Sequence, residues 1–355
     1  MILHKDFLGG NIKVIEQKGN TFILENEIRD TTEDWFYWAF CVEGAEGETV
    51  TFNFQQKFRV GYYGPAISYD LVNWHWLGSA DGESFTYQFK EDETKVYFAH
   101  DMLYHPDRFF KFAAEKNLNV TKLCDGYKGS QVPCVELGSG NKTMILTARH
   151  HACEATGSYV LEGVLDELLQ NPIEGYKVFC VPFVDYEGVV RGDQGKRRAP
   201  HDHNVDYEFD KPAIYPEIAA IRKYADDNKC HLGFDFHSPW HMWNSNDHVF
   251  LVLNEKSDQL NVFGDILESC ITENSMKYFC KNNFPFMYDW NMGRRMGFSR
   301  HMAARPENDI ACTLETTYFG LSDNVVSQDK MVELGHCFAR AVKKYVETVQ
   351  KNIKR

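Results

Sequence analysis

The hydrophobic pattern of this chain changes near residue 120, and that change limits the possible folds more than any other feature. Before it, apolar side chains alternate with polar ones, as in residues 50–54 (VTFNF), and glycines separate the apolar runs. Alternation with period two and many aromatic residues is typical of half-buried strands. We therefore expect residues 1–120 to form an antiparallel β-sandwich domain.

After residue 120, apolar strand segments alternate with amphipathic helices. The predicted strands cover residues 143–148, 176–184, 232–236, 248–253 and 309–316. The predicted helices cover residues 154–170, a segment that begins at Pro216, and residues 327–350. This order predicts an α/β domain over residues 121–355, a mixed twisted sheet covered by helices on both faces. In such sheets, ligands bind beyond the carboxyl ends of the strands.

Composition excludes several classes of function. The net charge of -13 disfavours nucleic-acid binding. No apolar run approaches the roughly 18 residues that cross a bilayer, and residues 1–18 lack the pattern of a signal peptide. The ten cysteines show no disulfide framework spacing, which favours buried free thiols. We expect a cytoplasmic protein without nucleic-acid or membrane partners. The sequence does not indicate whether the protein is a monomer or an oligomer.

A short motif lies between the predicted strand 143–148 and the helix that follows it. His151-Ala152-Cys153-Glu154 places an imidazole and a carboxylate three residues apart. Both groups can bind one divalent ion, and zinc accepts nitrogen and oxygen ligands. The motif alone is weak, because the chain has 14 His and 51 Asp and Glu residues. A surface histidine beside a helix-start glutamate explains it equally well.

Two more polar residues accompany apolar strands. His237 follows the predicted strand 232–236, so it lies at the strand's carboxyl end. Glu315 lies inside the predicted strand 309–316, where a charge is costly unless a cation or a partner compensates it. A pocket there could raise its pKa into the range of a general base. The loop 191–207 adds three arginines, and two histidines flank its Asp202.

The order His151-x-x-Glu154, His237, Glu315 resembles the zinc carboxypeptidases of the carboxypeptidase A type. The segment 195–204 is similar to that family's Arg … Asp-x-Asn-Arg segment. An aromatic-rich β domain before the catalytic domain resembles the cytosolic carboxypeptidase branch, which trims acidic residues from protein C-termini. The resemblance covers nearly the whole chain.

The resemblance implies a metal site and a base. His151, Glu154 and His237 would bind one Zn²⁺ per chain. His150 is the competing ligand, but it lacks the three-residue spacing to Glu154. Glu315 would be the general base that takes a proton from the attacking water.

The resemblance also implies three roles around the metal. Asp202 would accept a hydrogen bond from His151 and fix its tautomer. Arg198 would stabilise the oxyanion, with Arg197 as the alternative after a shift of one residue. Asn204 would bind the terminal carboxylate of the substrate.

The chain departs from the family at Val205, where the family has an arginine that pairs with the substrate's C-terminal carboxylate. Three interpretations compete: the substrate lacks that carboxylate, another cation substitutes, or the chain is a weakened peptidase. We favour substitution from the loop that contains Arg294, Arg295 and Arg300, and take Arg295 as its representative. Tyr288 either closes over the substrate, as family tyrosines do, or simply packs.

These observations predict a zinc metallocarboxypeptidase that hydrolyses C-terminal amide bonds of peptides or proteins. A zinc-dependent N-acyl amino-acid deacylase, or an amidase on a non-peptide amide, is the first alternative, and Val205 favours it. A non-catalytic zinc-binding interaction protein is the second alternative. The presence of all three metal-ligand candidates together with Glu315 argues against it.

Overall fold

The computed structural model describes residues 1–78 and 80–353 of the chain. In the N-terminal part, the alternating aromatic pattern forms two sheets. Their strands are β1 (Ile2–His4), β2 (Lys13–Lys18), β3 (Thr21–Glu25), β4 (Ala39–Glu43), β5 (Thr49–Phe54), β6 (Ala66–Ser68), β7 (His75–Trp76), β8 (Ser84–Gln88) and β9 (Lys95–Ala99). One sheet has the order β1-β4-β9-β6-β7 and the other the order β2-β3-β5-β8.

An aromatic core fills the space between these two sheets. Phe52 and Phe85 of one sheet pack against Phe98 of the other, and the first two rings lie 4.8 Å apart. Each such aromatic pair contributes about 0.5–1.5 kcal/mol beyond the burial of its area. The predicted β-sandwich is confirmed, with one departure: β3 and β5 are parallel. They are parallel because the chain between them crosses to the other sheet to form β4.

The remaining chain forms a mixed sheet with helices. Its strands are β10 (Val120–Asp125), β11 (Gln131–Gly138), β12 (Lys142–Ala148), β13 (Tyr176–Val181), β14 (Cys230–His237), β15 (Phe250–Val252) and β16 (Ile310–Glu315), followed by a hairpin of β17 (Gly320–Leu321) and β18 (Asn324–Val325). The helices are α1 (Pro106–Glu115), α2 (Thr156–Gln170), α3 (Tyr186–Arg191), α4 (Pro216–Asn228), α5 (Ser257–Cys270), α6 (Phe298–Ala303) and α7 (Gln328–Ile353).

The sheet order is β10-β11-β13-β12-β14-β16-β15, and its four central strands are parallel. Phe234 of β14 faces α7, where its ring lies 5.1 Å from that of Phe338. On the opposite face, Ile145 of β12 packs with Ile218 of α4 and Met302 of α6. Helices therefore cover both faces, which confirms the predicted mixed α/β architecture. Among the described residues, no helix combines the length and apolarity that a membrane crossing requires.

The register of the parallel strands brings distant parts of the sequence to one edge of the sheet. His237 of β14 is paired with Glu315 of β16, and Ala148, the last residue of β12, is paired with Phe236. The carboxyl ends of the three strands thus coincide. The loop after β12, the end of β14 and the end of β16 meet where ligands bind in such sheets.

Helices α2 and α7 approach each other closely at two glycines. A Cβ atom at Gly163 would overlap the carbonyl oxygen of Val332, and a Cβ atom at Gly335 would overlap that of Val160. Both glycines are needed here because the two helix backbones touch.

We predict that Gly335→Ala lowers the free energy of unfolding by about 1–3 kcal/mol, because the helices must separate to admit the methyl group. Denaturant unfolding measures the change. Lys344→Ala, at an exposed position of the same helix, is the control and should alter stability by less than about 0.5 kcal/mol. Equal stabilities for the two variants would contradict the close helix contact.

Candidate active site

Three donor side chains meet at the carboxyl edge of the mixed sheet. The Nδ1 atom of His151 lies 2.9 Å from Oε1 of Glu154, and Nδ1 of His237 lies 2.6 Å from Oε2 of the same carboxylate. The two Nδ1 atoms are 3.2 Å apart. All three side chains are buried, and one donor atom from each lies within 4.8 Å of the others. We call these three candidate ligand side chains, His151, Glu154 and His237, the metal cluster.

The loop between β12 and α2 is shaped so that His151 and Glu154 face the same point. Its first residue, Arg149, has a φ of 62°, and its Nε donates a 2.9 Å hydrogen bond to the carbonyl of Ala152. At the start of α2, a Cβ atom at Gly157 would lie 2.8 Å from the backbone of Phe236. The glycine therefore allows α2 to pack against the end of β14, beside His237.

Asp235 forms a hydrogen bond with the ring nitrogen of His237 that faces away from Glu154. The two side chains point to the same face of β14 because they are two residues apart. Asp235 Oδ2 lies 2.6 Å from His237 Nε2, so the Nε2–H donates to the carboxylate and the Nδ1 atom is left for the metal cluster. Burial acts to raise the pKa of Asp235, but His150 and His237 hold it well below its usual range.

A second group of possible ligands, His150, Asp235 and His237, overlaps the first. Its donors are already bonded: His150 Nδ1 lies 2.9 Å from Asp235 Oδ1, and His150 Nε2 lies 2.8 Å from the hydroxyl of Tyr207. Thr147 donates a further 2.8 Å hydrogen bond to Asp235. His150 therefore supports His237 through Asp235, which favours His151 in the competition for the metal.

Lys196 brings a positive charge to the metal cluster. Its Nζ atom lies 2.7 Å from Oε1 of Glu154, and its side chain is only 17% exposed. Burial acts to lower the pKa of Lys196, but the carboxylates of Glu154 and Glu315 raise it above its usual value. Lys196 is thus a buried cation beside the metal cluster.

Glu315 is a buried carboxylate on the open side of the metal cluster. Its Oε2 atom has no hydrogen-bond partner among the described residues. Burial raises its pKa to about 7, although the nearby His237 lowers it. Glu315 also lines a cavity of about 330 Å³ that contains Asn204 and Val205. An unpartnered carboxylate of this kind can exchange a proton near neutral pH.

Asp202 lies beside His151, but the hydrogen bond expected from the sequence does not form between these two described residues. Its Oδ1 atom lies 3.5 Å from Nε2 of His151, and its Oδ2 atom accepts a 3.1 Å hydrogen bond from the backbone N–H of Arg197. Burial acts to raise its pKa, but His151 and Lys196 hold it well below its usual range. Asp202 is therefore an anion on the Nε2 side of the His151 ring, whereas Glu154 lies on the Nδ1 side.

The structure corrects the placement of Arg198. Its guanidinium lies 2.8 Å from Asp185 and 3.1 Å from Asp30, and it donates to the hydroxyl of Tyr127. No ion pair or hydrogen bond joins it to the metal cluster within residues 1–78 and 80–353. Two buried carboxylates bind this guanidinium, so Arg198 is not available for the oxyanion role that the sequence predicts.

The alternative residue, Arg197, also lies away from the metal cluster. Its side chain is exposed and lies 3.5 Å from Glu33. The cation that does reach Glu154 is Lys196, one position earlier.

The cavity beside Glu315 contains the predicted carboxylate-binding residues. It is lined by Asn204, Val205, Val252, Leu253, Asn254, Trp290, Asn291, Gly293, Arg294, Arg295, Gly297, Ser299, Arg300, Thr313 and Glu315. Arg300 is bonded to Glu255 and to two backbone carbonyls, so its charge is already compensated. Arg294 and Arg295 are exposed and form no ion pair in the described part of the chain.

Tyr288 does not line this cavity. It lies at the tip of an exposed turn, and 61% of its surface is accessible to solvent. Trp290, two residues later, does line the cavity and stacks on Phe284 at 4.4 Å. The predicted contact of Tyr288 with substrate therefore has no support in the cavity's geometry, and Trp290 occupies that side.

Two residues of the site were missed from the sequence, Lys196 and Asp235. Asp235 could have been found from its spacing, since it lies two positions before His237 and shares its strand face. Lys196 could not be distinguished from the two arginines that follow it, because the loop has no periodic pattern.

The comparisons with known proteins concern the fold and the family. Residues 3–100 match the family described as the cytosolic carboxypeptidase N-terminal domain. A metallo-carboxypeptidase from Burkholderia cenocepacia has a TM-score of 0.79 at 18% identity, over 98% of this chain and 99% of that one. A metallo-carboxypeptidase from Pseudomonas aeruginosa, solved in complex with (2-guanidinoethylmercapto)succinic acid, has a TM-score of 0.77 at 18% identity, over 98% and 99%. These solved structures establish the fold.

Curated proteins with similar sequences include one uncharacterized protein and a cytosolic carboxypeptidase. An uncharacterized protein of Zymomonas mobilis is 27% identical over 267 residues, or 69% of this chain and 68% of that protein. Cytosolic carboxypeptidase 2 of Xenopus tropicalis is 24% identical over 193 residues, or 45% of this chain and 20% of that protein. The match thus spans about a fifth of the length of the Xenopus protein. Together these findings confirm the resemblance to the zinc carboxypeptidase family and its cytosolic branch.

The pKa of Glu315 predicts a pH-dependent stability for chelator-treated protein. A carboxyl whose pKa rises from 4.5 to about 7 on folding stabilises the folded state below pH 4.5 and loses that effect as pH rises to 7. Relative to Glu315→Gln, the wild type should therefore lose about 1–3 kcal/mol of unfolding free energy between these limits. Denaturant unfolding of both proteins at each pH measures the difference, and parallel pH profiles would contradict the buried, protonated carboxyl.

Proposed function

We propose that this chain, which has the metallo-carboxypeptidase fold, is a zinc-dependent metallocarboxypeptidase acting on the C-terminal amide bonds of peptides or proteins. One observation carries the proposal. The donors of His151, Glu154 and His237 converge beside Glu315, a buried carboxylate with a raised pKa, where a cavity opens. A metal cluster, a base and a substrate cavity are the parts that metal-assisted amide hydrolysis needs.

The donor set suits zinc. Two imidazole nitrogens and a carboxylate oxygen are the protein ligands of known catalytic zinc sites, which keep a further position open. Asp235 and Asp202 lie behind the two histidines, and such partners fix the ring orientation of ligands. Bound zinc would polarise the scissile carbonyl and lower the pKa of water from 15.7 to about 7.

Glu315 serves as the proton carrier in this proposal. Its carboxylate takes a proton from the attacking water and passes it to the nitrogen of the leaving amine. A group that must both accept and return a proton works best when its pKa lies near the working pH. In the metal-free protein burial raises the pKa of Glu315 toward this range, and the free Oε2 atom faces no competing donor within the described residues.

Lys196 takes the role first assigned to Arg198. Its ammonium lies beside Glu154 and near Glu315. A metal bound by Glu154 would leave this ammonium free to interact with the carbonyl oxygen of the substrate as that oxygen becomes negative. A fixed cation in a buried site stabilises that charge, and removing one such donor in other enzymes costs about 10²- to 10³-fold in kcat.

Arg294 and Arg295 substitute for the arginine that the family has at position 205. Both line the cavity with Asn204 and Val205, and both guanidinium groups are free of carboxylates in the described chain. A guanidinium binds a carboxylate with two parallel hydrogen bonds. Two adjacent guanidinium groups therefore suit the terminal carboxylate and, beside it, an acidic side chain.

The setting of the enzyme follows from the whole chain. We retain residues 1–120 and 121–355 as the proposed domains, with a peptide or protein C-terminus as the substrate partner. All ten cysteines are free thiols and seven of them are buried, which supports a reducing compartment and hence the cytoplasm.

Val205 favours one other function, a zinc-dependent N-acyl amino-acid deacylase or amidase. Its aliphatic side chain lines the cavity where a carboxylate-binding arginine would stand. Such an enzyme would release the acyl acid from acyl-amino acids and leave peptides intact. A purely binding role, with no catalysis, gives no function to the unpartnered Glu315 carboxylate that lines the cavity beside the candidate metal ligands.

We predict that Glu315→Gln abolishes nearly all hydrolysis of peptides that end in Glu, Lys or Phe, with a loss of about 10²- to 10⁴-fold in kcat/KM. Zinc content should stay at one ion per chain. Glu273→Gln, at an exposed position, is the control and should match the wild type. If wild-type protein releases no terminal residue but does cleave acyl-amino acids, the deacylase function replaces the peptidase.

We predict that Arg295→Met and Arg294→Met raise KM for peptides with a free C-terminal carboxylate by about 10- to 100-fold, while kcat changes little. Each variant loses a charge-assisted hydrogen bond to the substrate. Steady-state kinetics with the same peptide as its C-terminal amide provides the control, since the amide offers no anion. Unchanged KM values in both variants would rule out substitution by these two arginines.

A further inference from the structure

The N-terminal domain contacts the loop that carries Lys196. Residues 26–35, the first part of the connection between β3 and β4, run along residues 190–198. These are the end of α3 and the residues that follow it, which we call the lysine loop. Several hydrogen bonds and ion pairs join the two segments. They involve Glu27, Arg29, Asp30, Thr31 and Glu33 on one side, and Arg191, Asp193, Gln194, Gly195, Arg197 and Arg198 on the other.

Asp30 holds the backbone of the lysine loop. Its Oδ1 atom accepts a 2.9 Å hydrogen bond from the N–H of Gln194, and its Oδ2 atom accepts a 2.8 Å hydrogen bond from the N–H of Gly195. Arg198 donates to the same Oδ2 at 3.1 Å. The Asp30 side chain is 10% exposed, so these charge-assisted bonds are largely shielded from water.

Gln194 joins the two domains to the metal cluster. Its side-chain oxygen accepts the N–H of Tyr37 at 2.9 Å, and its side-chain nitrogen donates to the carbonyls of Glu27 and Tyr37. Its own carbonyl accepts a 3.2 Å hydrogen bond from Cys153, which lies between the ligands His151 and Glu154. One buried residue thus contacts both the N-terminal domain and the loop between β12 and α2, residues 149–155, which we call the ligand loop.

Gly195 lets the lysine loop lie directly on the ligand loop. Its φ is 77°, and a Cβ atom there would overlap the backbone of Ala152. The next residue, Lys196, therefore enters the metal cluster, where its Nζ lies 2.7 Å from Glu154. The same Nζ lies 5.4 Å from the ring of Trp35, which belongs to the N-terminal domain.

We infer that the N-terminal domain positions Lys196 at the metal cluster through Asp30 and Gln194. Asp30 and Gln194 are positioning residues, since neither reaches the metal cluster, whereas Lys196 does. The catalytic consequence rests on the proposed function, but the effect on metal binding does not. The N-terminal domain is then a structural part of the active site.

Zinc affinity tests the inference without any assay of hydrolysis. The ammonium of Lys196 competes with a cation for Glu154, so Lys196→Met should tighten Zn²⁺ binding by about tenfold or more. Asp30→Asn should tighten it by a smaller factor, because the freed loop lets Lys196 leave. The double variant should bind Zn²⁺ like Lys196→Met alone. Competition with a chelating dye measures all four proteins.

Hydrogen exchange provides a second measurement on the same proteins. The amides of Gln194 and Gly195 should exchange at least about tenfold faster in Asp30→Asn, since they lose the carboxylate that binds them. Glu33→Gln is the matched control, because Glu33 contacts the same loop only through an exposed side chain. It should leave both the exchange rates and the zinc affinity unchanged. Asp30→Glu, which keeps the charge, serves if Asp30→Asn does not fold, and should give an intermediate shift.

Kinetics complete the test. Asp30→Asn should lower kcat by about 10-fold or more and change KM by less than about twofold. In a protein that already carries Lys196→Met, adding Asp30→Asn should not lower kcat further. Independent, multiplicative effects of the two substitutions on zinc affinity or kcat would overturn the inference, as would unchanged exchange at Gln194 and Gly195. If the wild type hydrolyses no substrate, the proposed function fails, while zinc affinity and exchange still decide the inference.

Discussion

The carboxylate of Glu154 is fully buried, and the surrounding structure compensates its charge. Burial acts to raise its pKa, but His151, Lys196 and His237 hold it well below its usual range. An ionised carboxylate without such partners would cost several kcal/mol in the interior. The three partners come from different parts of the chain, so the loop after β12, the end of β14 and the lysine loop must all be in place together. The strand register and the N-terminal domain both serve this requirement.

Two neighbouring glutamates have opposite properties because their surroundings differ. Glu154 contacts three positively charged or hydrogen-bonding groups and stays ionised. Glu315 is also buried, but it has an unbonded oxygen, and burial raises its pKa to about 7. Pairs of acidic groups whose pKa values are separated by environment commonly divide the work of a site. In the present site Glu154 would bind the metal and Glu315 would move the proton.

Local patterns predicted most of the fold and part of the site. Helix α2 was predictable because apolar residues recur on one face of the segment. It was expected at residues 154–170 and spans Thr156–Gln170. Strands β10 and β11 were missed, since β10 lies at the sheet edge and is mostly exposed or half-buried. The resemblance assigned the cation of the site to Arg198, and nothing local distinguishes the three consecutive basic residues 196–198. Contacts with Asp30 and Asp185, distant in sequence, bind Arg198 and leave Lys196 for the metal cluster.

In the proposed enzyme, His151, Glu154 and His237 hold one zinc ion beside Glu315. Anomalous diffraction from zinc-loaded crystals, measured on both sides of the zinc absorption edge, tests this binding most directly. We predict a single strong peak about 2.0–2.3 Å from Nδ1 of His151, Nδ1 of His237 and a carboxylate oxygen of Glu154. A peak bound instead by His150, Asp235 and Nε2 of His237, or a peak away from both groups, would contradict it.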